Sequence, residues 1–468
     1  MKVKMSNRLN VKRIGGEFWV YNSIFGNLTK LDGKQMDLLE SLVECGEVIE
    51  DEQVKDLLEK RFLLREDEDE YSIIRSGYSD FLERVRSGAY LRKLQLVVST
   101  KCNLACDYCY ETRVGSEEMN KSDSKKENMI FETAKQAVDG FFGIVNEHRQ
   151  PKVFIRFFGG EPLINWRLIK QVCEYVKTID TDAEIVYFLN TNGTLVREEM
   201  AEYMSKNNFE VDVSLDAPNT INDKYRVFKG KCRRRGTFDK VDEALTILSK
   251  HGVSVEVSTQ LNNDNMGLMR EFVDYVKQMD FDFEINTLIC DDKGLCTAPI
   301  EERVARLMET KEYAEKQGVK IAGKWIRLYR HTIDGTLNYC SRYGEQFSVN
   351  PSGIVYPCSG LDTELGTVDA MRSILGNVDY LNLSMRIIGK IPGCRDCEIE
   401  GMCAGGCLAS AKYQNPEAKE FPIEYKECDF KRAIVNAQIG TPIEREDPAY
   451  KSLIKDWLVN RNDRAHKL

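Results

Sequence analysis

The sequence predicts an α/β chain: a partial, TIM-like (β/α)6 barrel flanked by an N-terminal winged-helix-like module and a C-terminal cysteine-rich domain. Three observations carry this. Six apolar strand-like runs alternate with helical periodicity between Leu94 and Leu288, which implies parallel pairing with right-handed crossovers. Residues 1–90 lack that alternation and instead set short strands before two amphipathic helices. Seven of the fifteen cysteines fall between Asn338 and Cys428, in a loop- and glycine-rich stretch that needs metal staples in place of a core.

Taken in order, residues 1–90 open with strand-like runs at Phe18–Tyr21 and around Leu28–Leu31. Helices near Lys34–Val43 and Asp51–Lys60 follow, then Phe62–Leu64 and the acidic stretch Arg65–Glu70. Strands, helices and an acidic wing suggest the winged-helix-like module. Residues 91–310 are the barrel. Its strands are expected at Leu94–Ser99, Val153–Phe157, Glu184–Leu189, Val211–Leu215, Ser254–Ser258 and Phe283–Leu288. Helices are expected around Glu127–Val145, Leu168–Ile179, Glu198–Lys206, Phe238–Lys250 and Met269–Gln278. Six units fit better than eight, because the alternation stops near residue 290. Residues 311–430 hold the cysteine-rich domain after a helical stretch at Glu301–Gln317, and 431–468 form a helical tail.

Composition narrows the function. The net charge of −9 leaves no broad basic surface for nucleic-acid phosphates. The basic run Lys229–Arg235 reads as a solvated loop, with a patch for an acidic peptide as the alternative. No stretch approaches the ~20 apolar residues of a membrane span, and the start of the chain lacks the apolar region of a secretory signal. A cytoplasmic protein is expected, and in a reducing compartment dense cysteines point to metal.

Cys102, Cys106 and Cys109 follow the first strand, on the loop at its C-terminal end, where barrel enzymes place their active sites. Three thiolates within eight residues can hold three irons of a four-iron cluster and leave the fourth open; zinc is the other reading of the spacing alone. Gly159-Gly160-Glu161-Pro162 follows the second strand, Asn190-Thr191-Asn192-Gly193 ends the third, and Ser214-Leu215-Asp216 ends the fourth. Downstream, Cys340 and Cys358 (with Gly353 between them) precede Cys394, Cys397, Cys403, Cys407 and Cys428. Cys45, Cys173 and Cys232 read as small buried hydrophobes.

With Tyr108 before its last cysteine, the first motif resembles that of the radical SAM superfamily, Cys-x3-Cys-x-aromatic-Cys. The resemblance implies a [4Fe-4S] cluster on Cys102, Cys106 and Cys109 and S-adenosylmethionine bound beside it. The Gly159–Pro162 turn would hold the cofactor's amino group, and Ser214 would lie near its ribose or methionine part. Arg226 would meet its carboxylate, as a guanidinium fork suits, and Leu288 would pack on adenine. Tyr108, Asn190 and Asp216 are candidates at the same site.

The seven downstream cysteines resemble the SPASM extension with its two auxiliary [4Fe-4S] clusters. That implies Cys394, Cys397, Cys403 and Cys428 on the outer cluster and Cys340, Cys358 and Cys407 on the inner one. The inner set is one ligand short: either Cys296 or Cys290 completes it, or an iron is open to a substrate thiolate. Sulfatase-maturating members usually carry aspartate after the cysteine of Gly-x4-Cys, whereas Ser359 follows Cys358 here. The N-terminal module resembles the element that grips leader peptides by adding them to a sheet edge.

The expected function is therefore a peptide maturase. A 5′-deoxyadenosyl radical would abstract hydrogen from a ribosomally made peptide, and an intramolecular crosslink, foremost a cysteine thioether, would follow. Carbon–carbon or carbon–oxygen crosslinking, epimerisation and sulfatase maturation are the alternatives. A non-catalytic electron carrier is the rival from another class. The implied partners are a precursor peptide with its leader and a reductant such as flavodoxin or ferredoxin; neither nucleic acid nor membrane is expected.

Overall fold

A computed structural model describes residues 1–109, 127–216, 219–232, 235–288, 291, 293–340, 344–418 and 421–441. Two compact units emerge: one of Glu83–Lys324 and Ser341–Ser384, the other of Met1–Leu82, Trp325–Cys340 and the described part of Met385–Leu468. Among the described residues no helix is long and apolar enough to cross a membrane.

The first unit is built on one large sheet. Strands Lys93–Ser99, Lys152–Gly159, Glu184–Thr191, Phe209–Ser214, Ser254–Gln260 and Asp282–Asn286 lie side by side in chain order, every pair parallel. Helices Phe131–Val145, Trp166–Val176, Glu198–Lys206, Phe238–Lys250 and Met269–Gln278 connect them. The alternation does not end at residue 290, however. Helix Ile300–Gln317 leads to a further parallel strand, Ile321–Ala322, and Gln346–Val349 adds in parallel at the opposite edge. Two residues are too few to show the period-two pattern by which a strand is read from sequence.

Side-chain alternation divides the sheet into two faces. In the second strand Val153, Ile155 and Phe157 are fully buried, whereas Lys152, Phe154, Arg156 and Phe158 are half-buried. Leu189, Val213, Val257 and Phe283 continue the buried row, each at 0% exposure. Burying such side chains contributes about 1.5–3 kcal/mol apiece. The opposite face carries Arg156, Asn190, Asp212, Glu256 and Glu284, all partly open. A parallel sheet packed on both faces would be apolar on both; this one keeps a polar, partly exposed inner face.

The second unit holds two small antiparallel sheets. Lys2–Met5 lies between Gly46–Glu47 and Leu63–Arg65, and Leu9–Ile14, Glu17–Asn22 and Gly26–Leu31 form a meander. Helices Gly33–Ser41 and Glu52–Glu59 start at Asp32 and Asp51, whose carboxylates cap the first turn. Val3, Val20, Leu39, Leu57, Phe62 and Leu63 close this core. A second core joins Tyr21, Leu328, Tyr329, Tyr339, Ile399, Met402 and Val435, with Cys340, Cys397, Cys403 and Cys407 packed against it. The cysteine-rich stretch thus shares an apolar core with the N-terminal meander. The last described helix is Tyr425–Gln438; the rest of the expected helical tail, from residue 442, lies outside the described residues.

Candidate active site at the strand ends

The cysteine loop leaves the first strand and is fastened from two sides. On one side, the Gly160 N–H donates to Ser99 O (2.9 Å) and the Glu161 N–H to Lys101 O (2.8 Å). A Cβ on Gly159 would stand 2.0 Å from Ser99 O, and one on Gly160 would stand 2.5 Å from Lys101 O. Only glycine lets the two backbones approach this closely. Glu161 is fully buried and ties the turn to the end of the third strand. It accepts from Thr191 Oγ1 (2.7 Å), the Asn192 N–H (2.8 Å) and the Leu163 N–H (3.0 Å). Burial pushes its carboxyl up to about 7, against the pull of these donors. Pro162 starts the short helix behind the turn.

On the other side, the segment after helix Asn219–Tyr225 pairs antiparallel with the loop. Ala105 N–H meets Val227 O (2.8 Å), Asp107 N–H meets Tyr225 O (3.0 Å) and Lys229 N–H meets Asn103 O (2.9 Å). Lys229, the first residue of the basic run, therefore belongs to this brace. Arg226 is buried, its Nε 3.1 Å from Asp216 Oδ2 and its guanidinium 5.3 Å from the centre of the Tyr108 ring. The Tyr108 hydroxyl donates to the same Asp216 oxygen.

The three thiols of the loop act on one another. Burial pushes Cys106 up to about 12, with Arg226 opposing and Cys109 and Cys102 adding to the rise; burial raises Cys102 as well. The Leu104 N–H points at Cys102 Sγ from 3.4 Å, and Asn192 Nδ2 lies 3.9 Å from it. Among the described residues no three His, Cys, Asp or Glu side chains converge tightly enough for a single metal ion. Three mutually interacting thiols on one loop are the donor set that a multi-iron cluster takes.

Asn190 stands apart from that loop, on the inner face. It accepts from Arg156 Nε at 2.5 Å and donates to Asp212. Asn286 Nδ2 and Ser258 Oγ both donate to Glu284, at 2.7 and 3.2 Å. Burial and then Glu284 push Asp212 up to about 7 and Glu256 up to about 8. Ser214 ends the fourth strand and Leu288 follows the sixth, both partly exposed. Sequence reasoning passed over the acidic row, although Asp212, Glu256 and Glu284 sit at polar positions between apolar ones. Period-two alternation was the available signal.

Cys394, Cys397, Cys403 and Cys428 form a second group. Burial pushes Cys394 up to about 12, and Cys403, Cys397 and Cys428 each add to it. Arg386, unforeseen from sequence, is 1% exposed and spans the turn before Cys407. Its Nη1 donates to Gly406 O (2.9 Å) and Ala404 O (3.4 Å), and its Nη2 to Gly405 O (2.8 Å) and Pro422 O (2.9 Å). Buried Lys431 pairs with buried Glu424, which also accepts from the Cys407 N–H at 3.2 Å. Arg432 Nη1 lies 3.9 Å from Cys397 Sγ. Cys340 lies in this same unit, whereas Cys358 belongs to the other, following the hairpin that turns at Gly353, with the Gly360 N–H 3.4 Å from its sulfur. Cys296 sits after the sixth strand with Arg303 Nη1 at 4.0 Å; Cys290 lies outside the described residues.

A parallel α/β sheet with a three-cysteine loop at its first strand end defines a class of cluster-bearing enzymes. Residues 96–277 match the Radical SAM superfamily. The chain is also 26% identical over 434 residues to the radical SAM cyclopropyl synthase TigE of Paramaledivibacter caminithermalis, covering 86% of this chain and 89% of that protein. It is 30% identical over 188 residues to the cysteine-type anaerobic sulfatase-maturating enzyme of Clostridium novyi, which is 40% of this chain and 47% of that one. Among solved structures, Streptococcus suis SuiB bound to precursor peptide SuiA shares the fold. Its TM-score is 0.53 at 12% identity, over 90% of this chain and 98% of that one. Residues 96–277 are therefore a Radical SAM domain, which implies S-adenosylmethionine and a [4Fe-4S] cluster, and the chain is an enzyme.

Proposed function

We propose that this enzyme modifies a ribosomally made peptide by closing an intramolecular bond at an unactivated carbon. The observation that carries the reading is the half-open polar face of Arg156, Asn190, Asp212, Glu256 and Glu284, on the same sheet whose first strand leads into the cysteine loop. Cys102, Cys106 and Cys109 would hold the cluster, and the Gly159–Pro162 turn, Ser214, Arg226 and Leu288 would seat the cofactor. Bound there, the pair would supply a carbon radical able to abstract hydrogen. The chain's own part is to orient the peptide and receive a proton. Asp212 and Glu256, with carboxyls held up to about 7 and 8, can take one near neutral pH. The four-cysteine group around Arg386 would hold an auxiliary cluster, and the outer edge of strand Leu9–Ile14, with Val11 and Ile14 exposed, would take the leader peptide as an added strand.

A thioether from cysteine is one bond this site could make. Similarity to a cyclopropyl synthase over 86% of the chain favours the carbon–carbon alternative. Sulfatase maturation is the second alternative: a cysteine-type sulfatase-maturating enzyme of Clostridium perfringens is 26% identical over 66% of the chain, but Ser359 stands here where an aspartate is usual in that group. Co-expression with each short peptide found encoded near the gene, followed by mass spectrometry, tests this. Loss of two hydrogens in both the native peptide and its cysteine-free variant supports carbon–carbon closure. Loss that requires a cysteine supports the thioether. An unmodified peptide, with no 5′-deoxyadenosine formed under anaerobic reduction, overturns the proposal.

A further inference from the structure

Asp216 ends the fourth-strand motif, yet none of its surface is exposed. Its carboxylate takes four donors. Oδ2 accepts from the Tyr108 hydroxyl and from Arg226 Nε (3.1 Å); Oδ1 accepts from Thr259 Oγ1 (3.2 Å) and the Gln260 N–H (3.0 Å). A buried carboxylate is tolerated when it is paired and fully bonded in this way, and no acceptor capacity is left over for a ligand. Contact with the cofactor therefore cannot be direct.

Its partners are informative. Tyr108 lies between Cys106 and Cys109, and Arg226 lies in the segment that pairs with the cysteine loop. Thr259 and Gln260 end the fifth strand. One carboxylate thus links the loop, its brace and the sheet. Arg226 is held at three points: Nε by Asp216, its cationic carbon over the Tyr108 ring, and its carbonyl by Thr237 Oγ1 at 2.7 Å. Among the described residues nothing takes its Nη groups. With Nε committed, the edge bearing both Nη atoms is the fork that a carboxylate matches.

We propose that Asp216 is a positioning residue, which holds Arg226 and Tyr108 so that the Nη edge of Arg226 is presented to the carboxylate of S-adenosylmethionine. This rests on the reading of Arg226 as the carboxylate's partner, and the test separates the two. Anaerobically reconstituted wild type, Asp216→Asn, Arg226→Gln and the double variant are compared by equilibrium dialysis against S-adenosylmethionine, by iron content, and by the EPR spectrum of the reduced protein with and without it. Asp216→Asn keeps size and two acceptor sites but releases the charged bond. Its affinity falls about tenfold or more, as expected from losing orientation by a charge-assisted bond. Iron content stays at the wild-type level, and the cofactor-induced EPR change needs correspondingly more cofactor. The double variant binds no worse than Arg226→Gln alone, because Asp216 acts through Arg226. Unchanged affinity in Arg226→Gln overturns the reading of Arg226. A loss in Arg226→Gln without one in Asp216→Asn, or additive losses in the double variant, overturns the positioning role. Loss of iron in Asp216→Asn also overturns it, by making the residue a brace for the loop alone.

Discussion

Arg386→Met is the sharpest test of how the second cysteine group is built. The substitution keeps an unbranched apolar stem of similar reach and removes the guanidinium. Four carbonyls, of Ala404, Gly405, Gly406 and Pro422, then lose donors at 2.8–3.4 Å. Each buried acceptor left unsatisfied costs about 1–3 kcal/mol. If water reaches two of the four, about 2–6 kcal/mol remains, a large part of the ~5–15 kcal/mol that holds a domain together. The loss is local. The Ala404–Gly406 run takes positive φ at all three positions, +45°, +82° and +73°, and Arg386 is what gathers its carbonyls to one point. Released, the turn no longer sets Cys403 and Cys407 at a fixed spacing. The expected result is a melting temperature lower by roughly 5–15 °C and a loss of at least about four irons per chain, the worth of the proposed cluster on Cys394, Cys397, Cys403 and Cys428, with the iron proposed on Cys102, Cys106 and Cys109 retained. Arg386→Lys, which keeps the charge but has no planar fork, should fall between. An Arg386→Met protein with wild-type iron and an unchanged melt would refute the reasoning, because four buried carbonyls would have proved indifferent to the cation that bridges them.

Two further outcomes follow from the first unit. Gly160→Ala places a methyl group 2.5 Å from Lys101 O and 3.0 Å from Cys102 Cβ, an overpacking of about 1–3 kcal/mol. The turn must draw back from the cysteine loop, so affinity for S-adenosylmethionine should drop at least about tenfold with iron content preserved; dialysis and iron analysis check both. Glu256 has a folded-state pKa raised to about 8 by burial and then by Glu284. The unfolded chain gives up that proton near the ordinary carboxylate value, so the contribution to stability is present at low pH and is lost as pH rises towards 8. Melting temperatures between pH 6 and 9 should fall less steeply in Glu256→Gln than in wild type, with the variant the more stable at pH 9. Parallel curves would count against it.

How much could be read from the sequence depended on whether a residue's partners are near it in the chain. Strands such as Val153–Phe157 and Glu184–Leu189 were legible because alternation and the following helix are local signals, and the structure extends them by three and two residues. The Gly159–Pro162 turn was legible as a motif, but its reason was not: the atoms that forbid a side chain there belong to Ser99 and Lys101, some sixty residues earlier. Arg386 shows the limit. Met385-Arg386-Ile387 carries no pattern, and a lone arginine between apolar residues looks solvent-facing. It is buried because its acceptors at 404–406 and 422 come from two separate loops. Asp216 combines both cases. The end of its strand could be located to within two residues, and the Ser-Leu-Asp run marked it as part of the site. Its neighbours 108, 226 and 259–260 converge only once three strand ends and the cysteine loop have met. A motif therefore locates chemistry along the chain, but the division of labour within it, between residues that touch a ligand and residues that aim others, is set by donors and acceptors arriving from elsewhere. That is why Asp216, expected to touch the cofactor, has no oxygen left with which to do so.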